Sequence, residues 1–224
     1  MLKFKSTHSR LMMVCTGSYI SRYRILHLYL YLHYLHKERT DIFMEKSTSK
    51  INAKTITMNA LAIAMVCVLT MFPQIPIPLG YMHLGNCCIL LAGSFFGPVT
   101  GLLAGGIGSA MADSITGYPQ WIIPTLIIKS IMGLAMGAIC HKKDGRCKMA
   151  SVRTLLASLA AIVIMIFGYF VGGSILYGSV VTGAAQIPGL TLEGVIGIIL
   201  FYVIGFAFEA AKLPKLIANL KSTR

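Results

Sequence analysis

Residues 121–140, WIIPTLIIKSIMGLAMGAIC, hold a single charged side chain, Lys129, whereas residues 141–153, HKKDGRCKMASVR, hold five Lys or Arg. Twenty helical residues cover about 30 Å, the thickness of a bilayer's hydrocarbon core. An apolar run of that length that stops at a basic loop reads as a membrane helix ending on the cytoplasmic side. The whole chain supports this: of 224 residues, 56% are hydrophobic and 12% charged, and the mean hydropathy is +0.74. Soluble domains carry roughly 25% charged residues, so a water-facing surface can hardly be assembled here. Twenty Lys and Arg against seven Asp and Glu give a formal charge of +13. In a soluble protein that balance would point to nucleic acid; here its location must be settled first.

Working outward, six apolar spans are expected, at about 55–72, 83–96, 99–115, 121–140, 154–181 and 192–211. The cluster Pro73, Pro76 and Pro78 stops the first, because proline lacks the amide donor. Gly97-Pro98 turns the second into the third, and both are short enough to be tilted or irregular. Gly172-Gly173 offers a place to break or tilt the fifth. Lys46, Lys50 and Lys54 precede the first span; Lys142, Lys143, Arg146, Lys148 and Arg153 follow the fourth; Lys212, Lys215, Lys221 and Arg224 follow the sixth. The alternate loops, about 73–82, 116–120 and 182–190, hold no Lys or Arg. The expected fold is therefore an all-α membrane protein of six transmembrane helices with both termini cytoplasmic. Residues 1–43 differ: they hold seven Lys/Arg, four of the six His, and the run ILHLYLYLHYLH, too short to span. They are read as a basic extension from a start placed too far upstream, with Met44 favoured as the first residue; an interfacial helix is the other reading.

Inside the membrane, Lys129 is the outlier. A lysine at the centre of a span costs about 2.5 to 3.5 kcal/mol on insertion scales, so it faces a partner or a polar cavity. Asp113, near the outer end of the third span, is the expected partner, and two roles stay open: an ion pair between helices, or a ligand-reading cation at the floor of an outward-open site. On the outer side gather Tyr81, His83, Asn86, Tyr118, Gln120, Trp121, Tyr177 and Gln186. Aromatic faces with a few amide and imidazole donors suit a flat, uncharged heteroaromatic ligand, and Pro-rich 75–80 suits a semi-rigid lid. Glu193 reads as a helix-start residue beside Thr191, and Glu209 as a partner for Lys212. Gly101 and Gly105, Gly133 and Gly137, and Gly168 and Gly172 form small-residue seams for close helix approach, and Ala60 and Ala64 form another. Cys67, Cys87, Cys88 and Cys140 sit in apolar runs as small hydrophobes. The six cysteines include no CxxC pair and no zinc spacing, so no metal or other cofactor is expected. Gly106-Ile107-Gly108 lacks the third glycine of a dinucleotide fingerprint, and no GxxxxGK[ST] loop occurs.

The first span with its alanine pair, Pro76-Ile77-Pro78, the run from Gly80 to Asn86, the glycine-rich run to Asp113, and Gly117-Tyr118-Pro119 through Pro124 to Lys129 together resemble the S components of energy-coupling factor (ECF) vitamin transporters. The resemblance covers about 52–212 and is nearest the branch associated with thiamine precursors and pyridoxine. It implies a six-helix subunit that binds a small-molecule vitamin from outside, here a pyridoxine-like compound or hydroxymethylpyrimidine first. It also implies association with a transmembrane T component and two ATPases, and no enzymatic activity of the chain's own. Ala60 and Ala64 would then be the docking surface for the T component. Tyr81, His83, Asn86, Asp113, Tyr118, Trp121, Lys129, Tyr177 and Gln186 would bind substrate. The family's His-Leu-Gly segment often continues with Asp; Asn86 puts an amide in its place.

Two other classes compete. An ion-coupled secondary transporter would need inverted repeats and a coupling carboxylate, for which Asp113 is the candidate. A structural membrane protein would need only the glycine seams and a paired Lys129. Membrane lipid is a partner in every case; nucleic acid is a partner in none.

Overall fold

The structure, a computed structural model, describes residues 53–77, 80–141 and 148–212. The extension 1–43, Met44, and the basic residues Lys46, Lys50, Lys142, Lys143, Arg146, Lys215, Lys221 and Arg224 lie outside the described residues.

Helix α1, Ala53–Met71, ends just before Pro73. The proline-rich segment that follows forms a two-stranded antiparallel hairpin, β1 (Ile75–Ile77) and β2 (Gly80–Met82), with Pro76 opposite Tyr81. The fold is thus mostly helical with one small hairpin, where helix alone was expected. Proline cannot donate to a ladder, and it is tolerated here because two strands are all edge. Helix α2, Gly85–Leu91, runs into a π-helical turn, Ala92–Phe96. Helix α3, Pro98–Leu103, likewise passes through a π-helical turn, Ala104–Gly108, into α4, Ser109–Thr116. Gly117 closes α4 at φ 86°, a left-handed conformation that glycine adopts without a Cβ penalty, and its amide bonds the Asp113 carbonyl.

A short 3₁₀ turn, Pro119–Trp121, leads into α5, Ile122–Cys140. Helix α6, Val152–Leu176, starts at Ser151, whose hydroxyl accepts from the Arg153 amide. It runs straight through Gly172-Gly173 and ends about five residues before the expected boundary at 181. Helix α7, Val180–Ala184, and α8, Ile187–Ala210, then occupy most of the stretch expected as a loop at 182–190. Pro188 explains the difference. At the second position of α8 its missing amide is one the helix would not have used, so proline opens the helix rather than interrupting it.

Among the described residues, four helical segments are long and apolar enough to cross a membrane: Ala53–Met71, Pro119–Cys140, Val152–Leu176 and Val180–Ala210; Gly85–Phe96 is a shorter apolar helix. Their packing inverts the rule for soluble proteins. Leu61, Ile123, Phe167 and Val203 are each more than 60% exposed, while Lys129 is 1% and Glu193 2% exposed. Large apolar side chains turned outward around buried charge fit a hydrocarbon surround, not water.

The interior centres on Val66, Ile89, Leu90, Met132, Met136, Met165 and Phe201. Cys67, Cys87, Cys88 and Cys140 are buried as expected of small hydrophobes. Helix α5 packs on α6 and on α3 with its flanking π turns. At the α3 crossing, a Cβ on Gly133 would overlap the Gly101 carbonyl, and a Cβ on Gly101 would overlap the Gly133 carbonyl. Backbones this close require glycine on both sides. At the other end of the bundle Glu209 accepts from the Met149 amide at 2.8 Å, so it holds the segment before α6 in place of the expected pairing with Lys212. Arg153 reaches from α6 to the Ile139 carbonyl of α5.

Candidate functional site

Trp121, at the end of the 3₁₀ turn, and Thr125 and Lys129 on α5 are spaced four apart and fall on one stripe. That stripe is one wall of a cleft. The hairpin supplies Tyr81, followed by His83; α4 supplies Asp113; Tyr118 follows it; α6 supplies Tyr169; Gln186 stands just before α8, which supplies Leu190 and Glu193.

The floor is a connected set of polar groups. Lys129 Nζ donates to Asn86 Oδ1 at 2.5 Å, and Asn86 Nδ2 donates to Glu193 Oε1 at 2.7 Å. Lys129 Nζ stands 3.8 Å from the same carboxylate oxygen and 5.4 Å from the centroid of the Tyr169 ring. His83 accepts the Gly85 amide at Nδ1, which leaves its Nε2 facing Glu193 Oε1 at 3.5 Å. The Met165 sulfur receives both Asn86 and Lys129. Lys129 is therefore neutralised chiefly by Glu193 and held by Asn86, and not by Asp113 as expected. Glu193 in turn is no helix-start residue: α8 begins six residues earlier, so Glu193 lies a full turn inside and points into the bundle.

The rim is aromatic. The Tyr81 hydroxyl donates to Asp113 Oδ1 at 2.8 Å and lies 3.5 Å from the Thr116 hydroxyl. Burial first, and then the adjacent Asp113 charge, hold the Tyr81 hydroxyl well above its ordinary ionisation range, so it stays a donor. The Tyr81 ring meets that of Tyr118 at 4.8 Å between centroids, and Trp121 meets Tyr169 at 5.5 Å. Thr125 and Tyr169 share a hydrogen bond of 3.0 Å. Trp121 Nε1 and Asp113 Oδ2 are buried with no hydrogen-bond partner among the described residues. Buried polar atoms are nearly always paired, so vacancies beside a cleft mark where a ligand's polar atoms would sit.

Of the nine residues expected to bind substrate, seven line the cleft: Tyr81, His83, Asp113, Tyr118, Trp121, Lys129 and Gln186. Asn86 lies beneath it, fully buried, as a bridge between Lys129 and Glu193. Tyr177 is not among the residues that line the cleft; it is 40% exposed, its ring tilted against that of Trp121 at 6.2 Å between centroids. Gln186 is brought inward because Gly173 leaves room for its amide. Glu193, Tyr169 and Thr125 complete the cleft without having been expected there. For Glu193 the signal was present: an isolated acid in an apolar stretch reads as a buried functional group once the helix start is placed at Pro188. Ala60 and Ala64 are both exposed on α1, the membrane-length helix with the smallest buried share, 17%.

A membrane-embedded bundle with a single-cation polar floor, aromatic walls and an opening near one end defines a small-molecule binding protein of the membrane. Residues 50–210 match the family model described as "ECF-type riboflavin transporter, S component", and the chain belongs to that family. It is thus a substrate-binding membrane subunit of vitamin uptake and not an enzyme. A solved structure described as "Structure and mechanism of the S component of a bacterial ECF transporter" superposes with a TM-score of 0.57 at 20% identity, covering 71% of this chain and 97% of that one. At that identity the likeness concerns the fold. A Pyrococcus woesei protein described as "Uncharacterized protein in gap 3'region" is 40% identical over 115 residues, 50% of this chain and 74% of its own length. A UPF0397 protein of Leuconostoc citreum (strain KM20) is 30% identical over 96 residues, 42% of this chain and 50% of its own length.

Proposed function

We propose that the chain is a six-span S component with both termini cytoplasmic, and that it captures a single-ring, nitrogen-containing vitamin or precursor, pyridoxine-like or hydroxymethylpyrimidine first, in the cleft above Lys129. The observation that carries this is the cleft itself: a fixed Lys129–Asn86–Glu193 floor beneath four aromatic rings. The family description names riboflavin, a three-ring ligand, which makes riboflavin the competitor to test. Delivery across the membrane is assigned to a T component and two ATPases, since no phosphate-binding lysine loop is present. The exposed Ala60 and Ala64 face of α1 is assigned to the T component. Five of the thirteen formal charges belong to residues 1–43, seven Lys/Arg less two acids, and most of the rest flank the spans on the side assigned to the cytoplasm.

Trp121 is the chain's one tryptophan and lines the cleft, so its emission reports occupancy without background. Titration of the purified chain with pyridoxine, hydroxymethylpyrimidine and riboflavin should change that emission saturably for one of the two single-ring compounds at low concentration. Saturation by riboflavin alone would overturn the substrate assignment. The second buried carboxylate, Glu193, favours one competing class, an ion-coupled carrier. Gradient-driven uptake by this chain alone in proteoliposomes would establish it and refute the proposal.

A further inference from the structure

The cleft is lined by two carboxylates, Asp113 and Glu193, and one lysine. Lys129 is its one fixed cation among the described residues, and the Lys129 ammonium stands against Glu193 and is tied to it through Asn86. His83 receives the Gly85 amide at Nδ1, so as a neutral ring it brings no charge. Asp113 is left over. It is 5% exposed, and no Lys, Arg or His nitrogen among the described residues lies within ion-pair distance of it. Its Oδ1 is met by the neutral hydroxyl of Tyr81 and its Oδ2 has no hydrogen-bond partner. Beside it the rings of Tyr81 and Tyr118 pack together, and stacked tyrosine faces attract cations. Lys129 acts on Asp113 only from beyond ion-pair distance, and a buried carboxylate without an ion-pair partner that opens on a ligand cleft is relieved when the ligand brings the charge. Across the cleft the unpartnered donor Trp121 Nε1 asks for the opposite, an acceptor.

We propose that Asp113 is the specificity-determining residue of the cleft and selects ligands of net positive charge, the cationic group seated against Asp113 beside Tyr81 and Tyr118, with a hydrogen-bond acceptor turned toward Trp121. This deepens the vitamin-capture proposal and rests on it. It also narrows that proposal: riboflavin and pyridoxine, without net charge at neutral pH, do not satisfy Asp113, whereas a pyridine bearing an aminomethyl group does.

The test uses the full chain in detergent and a matched pair of probes, pyridoxamine and pyridoxine, which differ by an ammonium in place of a hydroxyl, with thiamine as a permanently cationic probe and riboflavin as a neutral one. Calorimetric titration should show pyridoxamine binding at least tenfold tighter than pyridoxine. Asp113→Asn should bring the two within about twofold of each other, and Asp113→Glu should keep the preference. Equal affinity for both in the unaltered chain, or a preference that survives Asp113→Asn, overturns the charge assignment while leaving capture intact. Absence of heat from all four probes, with the chain monodisperse, counts against capture itself and removes the ground for the charge assignment. Should Asp113→Asn fail to fold, Tyr118→Leu provides the second arm: it should weaken pyridoxamine more than pyridoxine, and an equal loss for both overturns the proposal.

Discussion

Two halves of the same helix, α5, do opposite work. Above, Trp121, Thr125 and Lys129 face a cleft and are held by hydrogen bonds and ring contacts. Below, Gly133 and Gly137 face backbone, the first against Gly101 and the second against Pro98. All five residues are four apart, but a row of that spacing drifts by about 40° per step on an α-helix, so over the whole row it turns from one neighbour to another. The contrast teaches how a membrane helix positions a charge. Where lipid is as apolar as the interior, burial gives little drive, and close backbone contact at the glycine seam fixes α5 so that Lys129 meets Asn86 and Glu193 one turn higher.

The largest effect should come from breaking the seam. Gly133→Leu forces a side chain into the Gly101 carbonyl, and neither backbone can yield; a loss of more than about 4 kcal/mol is expected, read as absence of a monodisperse peak after extraction. Next comes the floor. Lys129→Met strands the Glu193 charge, which should cost about 3–5 kcal/mol in a thermal melt and abolish ligand binding. Adding Glu193→Gln should restore most of the stability and none of the binding, a non-additivity that separates the ion pair's structural share from its functional one. Tyr81→Phe removes the hydrogen bond that Asp113 Oδ1 accepts; about 1 kcal/mol of stability should be lost, read as a fall of a few degrees in a thermal melt, and an unchanged melting temperature would remove that bond from the rim's account. Smallest in binding is Ala64→Phe on the exposed face of α1. Affinity should stay unchanged while uptake in cells holding the complete transporter is lost, and uptake at the normal rate would remove the docking role from that face.

The comparison also explains what the sequence disclosed. The span at 121–140 and its basic tail were legible because length, hydropathy and charge asymmetry all act over windows longer than the local errors. Lys129 was legible because a lone cation in an apolar run is costly wherever it sits. Its partner was not. Asp113 and Glu193 are both isolated acids, and only the packing of α8 against α2 brings Glu193 to Asn86 and Lys129. The misplaced start of α8 hid this, because Pro188 and Gly189 carry the same residue types in a loop as in a first helical turn. The hairpin was concealed in the same way: Pro73 marks the end of α1, but nothing local to Pro76 states that it will stand opposite Tyr81. Asn86, read as a ligand contact, proved to be a bridge below the cleft, a distinction of depth along α2 that composition does not carry.

The central claim is that a small vitamin occupies the cleft above Lys129. Mass spectrometry of small molecules released from the purified chain by denaturation tests it most directly. The account predicts one nitrogen-heteroaromatic compound at near one-to-one stoichiometry, lost from Lys129→Met prepared in parallel. A chain that releases nothing after growth on vitamin-rich medium, or that releases the same compound in the same amount with Lys129→Met, would contradict it.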